Sequence, residues 1–199
     1  MGTKPVGGCI GCGGCAKGSG CVFGGVVNEV IEKAKTADGF VFGTPVHYAS
    51  ASGNMTSFLD RLAYAGGKYL AYKPAAICCS ARRAGTTATL DQLAKYPEFF
   101  HMPLVSGSYW PMVHGSAPEQ VLQDQEGCAV MRELGRNMAW LLHCMDALFI
   151  AVFKWGVAGA AIATGLSQCV GGVLPLVYFL RPNSSLLQLT KTKLELRPI

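Results

Sequence analysis

The sequence predicts an α/β protein: a parallel sheet with helices on its faces, followed by a hydrophobic helical tail. Three observations carry this prediction. Between about residues 22 and 143, short apolar runs alternate with longer amphipathic ones, the pattern of crossover helices on a parallel sheet. From Trp155 to Leu180 there is no charged side chain. The 199 residues suffice for one domain with a sizeable core plus an appendage.

Taken in order, "VVNEVIEKAKTA" (26–37) has apolar residues at helical spacing with charges opposite. "GFVFGTP" (39–45) reads as a short buried strand that stops at Pro45. "NMTSFLDRLAYA" (54–65) is a helix with Asn54 as its N-cap. "PAAICCS" (74–80) is a strand, "TTATLDQLAKY" (86–96) a helix and "MPLVSG" (102–107) a strand. Ser116 and Glu119 have the spacing of a capping box, and "GCAVMRELGRNMAWLL" (127–142) carries a long helix.

Composition narrows the function. The formal net charge is +5, with Lys and Arg scattered rather than clustered with aromatics, so nucleic acid is excluded as the expected partner. Nine cysteines without a secretory signal point to reducing cytoplasm, where clustered thiols serve as metal ligands or redox centres. Cys9, Cys12, Cys15 and Cys21 form such a cluster, C-x2-C-x2-C-x5-C, interleaved with glycines. Cys78, Cys79, Cys128, Cys144 and Cys169 sit in apolar surroundings and read as core fillers or membrane-embedded residues.

Ligands of a parallel sheet bind beyond the carboxyl ends of its strands. Two loops there suit a flat, anionic cofactor. "TPVHYASASGN" (44–54) offers Thr, Ser and backbone groups before a helix, and "SARRAGTT" (80–87) carries Arg82, Arg83 and Gly85 before another.

The motifs "CIGCGGCAKGSGCVF", "DGFVFGTPVHYASASGNMTSFLDR", "KPAAICCSARRAGTTATLDQLAKY" and "MRELGRNMAWLL", over residues 4–144, resemble the NADPH-dependent FMN reductase family of flavodoxin-like proteins, close to its iron-sulfur flavoprotein branch. The resemblance implies five parallel strands, FMN at the strand ends, NAD(P)H as electron donor and a dimer around the flavin. By the same resemblance, Thr44, Pro45, Val46, His47 and Tyr48 lie beside the isoalloxazine ring, with Gly53 and Asn54 starting the helix behind it. Ser80, Arg82, Arg83, Gly85 and Thr86 form the neighbouring flavin loop. The flavin carries the redox chemistry, so no separate catalytic acid or base is required, and His47 is a candidate only for assisting proton movement. Cys9, Cys12, Cys15 and Cys21 resemble the family's [4Fe-4S] motif. Structural zinc and a metal-free, redox-sensitive loop are the competing readings.

In the family, a first strand, a phosphate-binding loop, a first helix and a second strand precede the cysteines, and Met1 leads almost directly into "KPVGGCIGC". The expectation is an N-terminally truncated sheet in which the 39–45 strand has an unpaired edge and FMN binding is weakened.

As a helix, the uncharged stretch 155–180 would reach about 39 Å, enough to cross a bilayer core of about 30 Å. Gly159, Ala163, Ser167 and Gly171 form a small-residue ridge on it. Residues 145–190 resemble an internal fragment of the multidrug and toxin extrusion transporters, with Asp146 a candidate ion-coupling carboxylate. The reading is therefore a flavodoxin-like domain over 1–144 and a transporter-like segment over 145–199, with one or two membrane helices and a basic tail. The expected function is a flavin-dependent oxidoreductase passing electrons from NAD(P)H through FMN, by way of the cluster, to a small-molecule or protein acceptor. Its redox portion would be cytoplasmic and membrane-associated through 155–180. The alternatives are a membrane protein fragment related to the antiporters, or a non-functional fusion of the two.

Overall fold

The computed structural model describes residues 4–18 and 20–146. The chain divides into two compact units, Met1–Met145 and Asp146–Ile199, and the sheet belongs to the first. The transporter-like helix expected over 155–180, and Cys169, fall outside the described residues, as does the side chain of Asp146. Among the described residues no helix is long and apolar enough to cross a membrane.

Among the described residues there are four strands, β1 (Phe40–His47), β2 (Ser50–Ala51), β3 (Ala75–Ala81) and β4 (Met112–His114), in the order β2-β1-β3-β4. The pairs β1–β3 and β3–β4 are parallel, whereas β2 turns back antiparallel on β1. The helices are α1 (Val26–Thr36), α2 (Gly53–Gly66), α3 (Thr86–Phe99), the single turn α4 (Pro118–Val121) and α5 (Gln125–Asp146). The sheet is thus mixed where a wholly parallel one was expected, because β2, which the sequence did not indicate, turns back on β1.

Side-chain alternation decides which helices cover which face. Phe42 in β1 and Ala75, Ile77 and Cys79 in β3 share one face, and they pack with Val27, Ile31 and Ala34 of α1, Met55, Phe58, Leu59 and Leu62 of α2, and Leu90 and Leu93 of α3. On the opposite face Ala76 packs with Val105 and with Leu134 of α5. Each burial stripe repeats every three or four residues along its helix, as the sequence spacing predicts. On that opposite face Val41 of β1 is 65% exposed.

β1 departs from its predicted form in two ways. It runs through Pro45 to His47, and only one of its faces is buried. Phe40–Pro45 pairs with β3, while β2 reaches only Val46 and His47. Among the described residues this stretch has a partner on one side only, a position in which a strand tolerates proline.

The strand predicted at 102–107 is reduced to a bridge. Ala75 donates to Pro103 O at 2.9 Å and accepts from Val105 N–H at 2.8 Å, after which the chain leaves the sheet and returns as β4 beside Cys79–Ala81. Two prolines, Pro103 and Pro111, flank the excursion and have no N–H for a continuous ladder. α3 continues through Pro97 to Phe99, three residues past its predicted end, with Pro97 buried.

The predicted caps are replaced by neighbours. Ser52 caps α2, its Oγ accepting the Met55 N–H at 3.3 Å, while Asn54 Oδ1 accepts the N–H of Val6 at 3.1 Å and ties down the N-terminal segment. The Ser116–Glu119 box does not form: Gln120 Oε1 takes the Ser116 N–H at 2.7 Å, and α4 begins without a side-chain cap. Of the cysteines read as core fillers, Cys79 is buried, Cys78 and Cys128 are half-buried, and Cys144 is exposed on α5.

Asp124 joins β4 to α5. One carboxylate oxygen accepts the Gly127 N–H at 2.9 Å as an N-cap, and the other accepts the His114 N–H at 2.8 Å. The Gly127 bond and then the His114 bond hold the Asp124 carboxyl below the ordinary carboxylate range. A depressed carboxyl stabilises the fold above the unfolded-state value of about 3.9 and loses that contribution as pH falls through its folded value. Asp124→Ala is therefore expected to cost about 1–2 kcal/mol in urea unfolding at pH 7. The difference from wild type shrinks as the pH is lowered below about 3.9.

Candidate functional site

The register of β1 and β3 sets Pro45 beside Ser80, so the two strands end level and their loops emerge side by side. β4 ends next to them, the Gly115 N–H donating to Ala81 O at 3.0 Å. The loops touch at Gly85. Its φ is +97°, and a Cβ there would stand 2.7 Å from Ala49 Cα and 3.1 Å from Val46 Cγ1. Glycine is required at this position both for the backbone angle and for the approach.

The predicted flavin-site residues divide by exposure. Pro45, His47, Tyr48, Arg82 and Arg83 are exposed, and Val46, Ser80 and Gly85 are half-buried. Thr44 and Thr86 are buried. The Thr44 hydroxyl accepts the Ser52 N–H at 3.0 Å and lies 3.3 Å from Ser52 Oγ, linking the end of β1 to the cap of α2. The Thr86 carbonyl accepts the Cys79 thiol at 3.7 Å. Burial, with the neighbouring Cys78 sulfur adding to it, pushes the Cys79 thiol up to about 11, so this cysteine stays protonated packing material.

The connection between β1 and β2 is a two-residue hairpin loop, Tyr48–Ala49, with φ of +52° and +57°. Such a loop demands left-handed backbone at both positions and is ordinarily built from Asn and Gly. Two residues with Cβ atoms are held here instead, and the Tyr48 ring stands wholly in solvent. The hairpin is anchored from α3, where Gln92 Oε1 accepts both the Ser50 hydroxyl at 2.8 Å and the Ala51 N–H at 2.9 Å. Gln92 carries no motif signal in the sequence. Its helical position is legible, but its partner is set by the hairpin.

A second constellation lies at the N-terminal segment. Cys9, Cys12, Cys15 and Cys21 all line one cavity of about 220 Å³, closed by Val22, Arg61 and Tyr64. Cys9 and Cys12 are exposed, and Cys15 and Cys21 half-buried. Among the described residues no three His, Cys, Asp or Glu side chains stand close enough together to hold a metal ion, so the thiols share a cavity without converging on one point. Gly11, Gly13, Gly18 and Gly20 take φ between +66° and +84° and turn the chain around this cavity. Asn28 of α1 clamps the backbone of Cys21, accepting its N–H at 2.8 Å and donating to its carbonyl at 3.0 Å. Arg61 Nε of α2 donates to Cys21 Sγ at 3.2 Å.

A mixed, mainly parallel sheet whose strand-end loops meet, with helices starting behind them, is an α/β arrangement of the flavodoxin-like kind. The chain belongs to the NADPH-dependent FMN reductase family, whose model matches residues 6–117 and so covers both loops and all four clustered cysteines. This is a family of flavin-dependent oxidoreductases. An iron-sulfur flavoprotein of Methanocaldococcus jannaschii is 28% identical over 148 residues, covering 70% of this chain and 76% of its own. Among solved structures, the Trp repressor binding protein of Bacillus subtilis is 16% identical with a TM-score of 0.46, covering 57% of this chain and 68% of its own. An apo NADH:FMN oxidoreductase is 19% identical with a TM-score of 0.46, covering 65% of this chain and 64% of its own.

Left-handed backbone at a residue with a Cβ costs about 1–2 kcal/mol. Ala49→Gly is expected to raise stability by about 1 kcal/mol in thermal or urea unfolding. Gln92→Ala removes two bonds to the hairpin, and faster hydrogen exchange at the Ala51 amide is the expected readout.

Proposed function

We propose that this chain is an NAD(P)H-dependent FMN oxidoreductase that carries a [4Fe-4S] cluster on Cys9, Cys12, Cys15 and Cys21 and delivers electrons to an external acceptor. The contact of the two strand-end loops at Gly85 carries the flavin part of this reading. It gives a surface on which Pro45, Val46 and Tyr48 present apolar and aromatic groups, while Arg82 and Arg83 supply positive charge. FMN and NAD(P)H supply hydride and electron transfer when bound. The chain's residues then position and tune. Residues 45–49 would hold the flat ring and the arginines would offset anionic charge, while the buried Thr44–Ser52 link keeps the loop from shifting.

The cluster part rests on the donor set. Structural zinc needs four ligands within about 2.3 Å of a single point, whereas a [4Fe-4S] centre spreads its thiolates over four irons. Four cysteines in a C-x2-C-x2-C-x5-C run that all line one cavity match that centre in donor type and number. α2 connects the two sites: its cap Ser52 belongs to the flavin loop and Arg61 to the cysteine cavity, about 14 Å apart along the helix.

The test is the full chain purified without oxygen and supplied with FMN, ferrous iron and sulfide. Stoichiometric flavin that bleaches on adding NADPH or NADH supports the reading, and failure to retain flavin contradicts it. Gly85→Val is expected to weaken FMN binding by at least about tenfold, or 1.4 kcal/mol. Cys12→Ser should lose iron while keeping flavin.

A further inference from the structure

Arg61 is 7% exposed, and among the described residues no carboxylate pairs with it. Its guanidinium is instead surrounded by the cysteine segment. Nη1 donates to the carbonyl of Gly7 at 3.3 Å and Nη2 to that of Gly24 at 2.8 Å, on the two sides of the cysteines, while Nε reaches Cys21 Sγ at 3.2 Å. The Phe23 ring lies over the guanidinium, 5.6 Å from its carbon. Carbonyls and a ring face offset part of the desolvation of a buried cation, but they bring no negative charge. The guanidinium is thus a buried cation set directly against the Cys21 sulfur, and it bridges the backbone on both sides of the four cysteines.

We infer that Arg61 is the electrostatic partner of the metal cluster: it draws the two ends of the cysteine segment together and places a fixed positive charge on the Cys21 side of the cavity, raising the reduction potential of the cluster held there. The inference rests on the [4Fe-4S] reading of the four cysteines. Arginine suits this post because its rigid fork serves Gly7, Gly24 and Cys21 at once, which a lysine ammonium at the end of a flexible stem would not reproduce. Hydrogen bonds to cluster sulfur and net charge nearby are the levers by which a protein sets such a potential. Arg61 is thus a positioning residue and takes no part in electron transfer itself.

The experiment is reconstitution of the full chain, as wild type, Arg61→Gln and Arg61→Lys, with ferrous iron and sulfide under anaerobic conditions. Iron per chain and the midpoint potential of the cluster are then measured. The expected result is a lower iron content in Arg61→Gln and, for the clusters that do form, a more negative potential, with Arg61→Lys recovering part of the shift. Equal potentials in wild type and Arg61→Gln would overturn this inference and leave the four-cysteine reading standing. A wild-type chain that assembles no cluster overturns both. Where Arg61→Gln does not fold, wild type grown with isotope-labelled arginine answers the same question. Pulsed electron paramagnetic resonance of the reduced cluster is expected to show coupling to a guanidinium nitrogen, and its absence contradicts the inference.

Discussion

The parallel pairing of β1 with β3, from Phe40 beside Ala75 to Pro45 beside Ser80, is the constraint on which the rest depends. It aligns Phe42 with Ile77 on the face where α1, α2 and α3 pack, and so sets the larger core. It also ends the two strands at one level, which is why Gly85 meets Ala49 and Val46. A register shift of one residue would turn Phe42 and Ile77 away from each other and separate the two loops in the same step. Core and site are therefore specified by a single set of hydrogen bonds.

The cysteine segment is joined to this framework through α1 and α2 rather than through the sheet. Asn54 holds Val6, Asn28 holds Cys21, and Arg61 holds Gly7, Gly24 and the Cys21 sulfur. A glycine-rich loop has little tendency to order itself, since its backbone loses the most freedom on folding. Three polar side chains on two packed helices offset that cost and give the loop a fixed seat.

What was legible in the sequence followed from periodicity. The helices α1, α2, α3 and α5 and the strands β1 and β3 were placed to within a few residues by their apolar spacing. Both candidate loops were legible too, because they follow apolar strand runs and precede helices. β4 was not: Met112–His114 is three residues long and is recognisable only from its pairing with Cys79–Ala81. The expected strand at 102–107 was apolar enough, but it forms only a bridge to Ala75, with Pro103 inside it unable to donate to a ladder. Residues whose role lies in a distant partner were equally silent, among them Gln92 for the hairpin, Asn28 for Cys21 and Asp124 for β4. Arg61 was visible only as one charge on an amphipathic helix, and nothing local marks a guanidinium that will be buried without a carboxylate.

The central claim is that the cofactor lies where the β1 and β3 loops meet. Hydrogen exchange of the full chain with and without FMN tests it most directly. The account predicts that FMN slows exchange in segments 44–52 and 80–87 and leaves α5 unchanged. Unchanged exchange in both segments under saturating FMN, or protection confined to other parts of the chain, would contradict it.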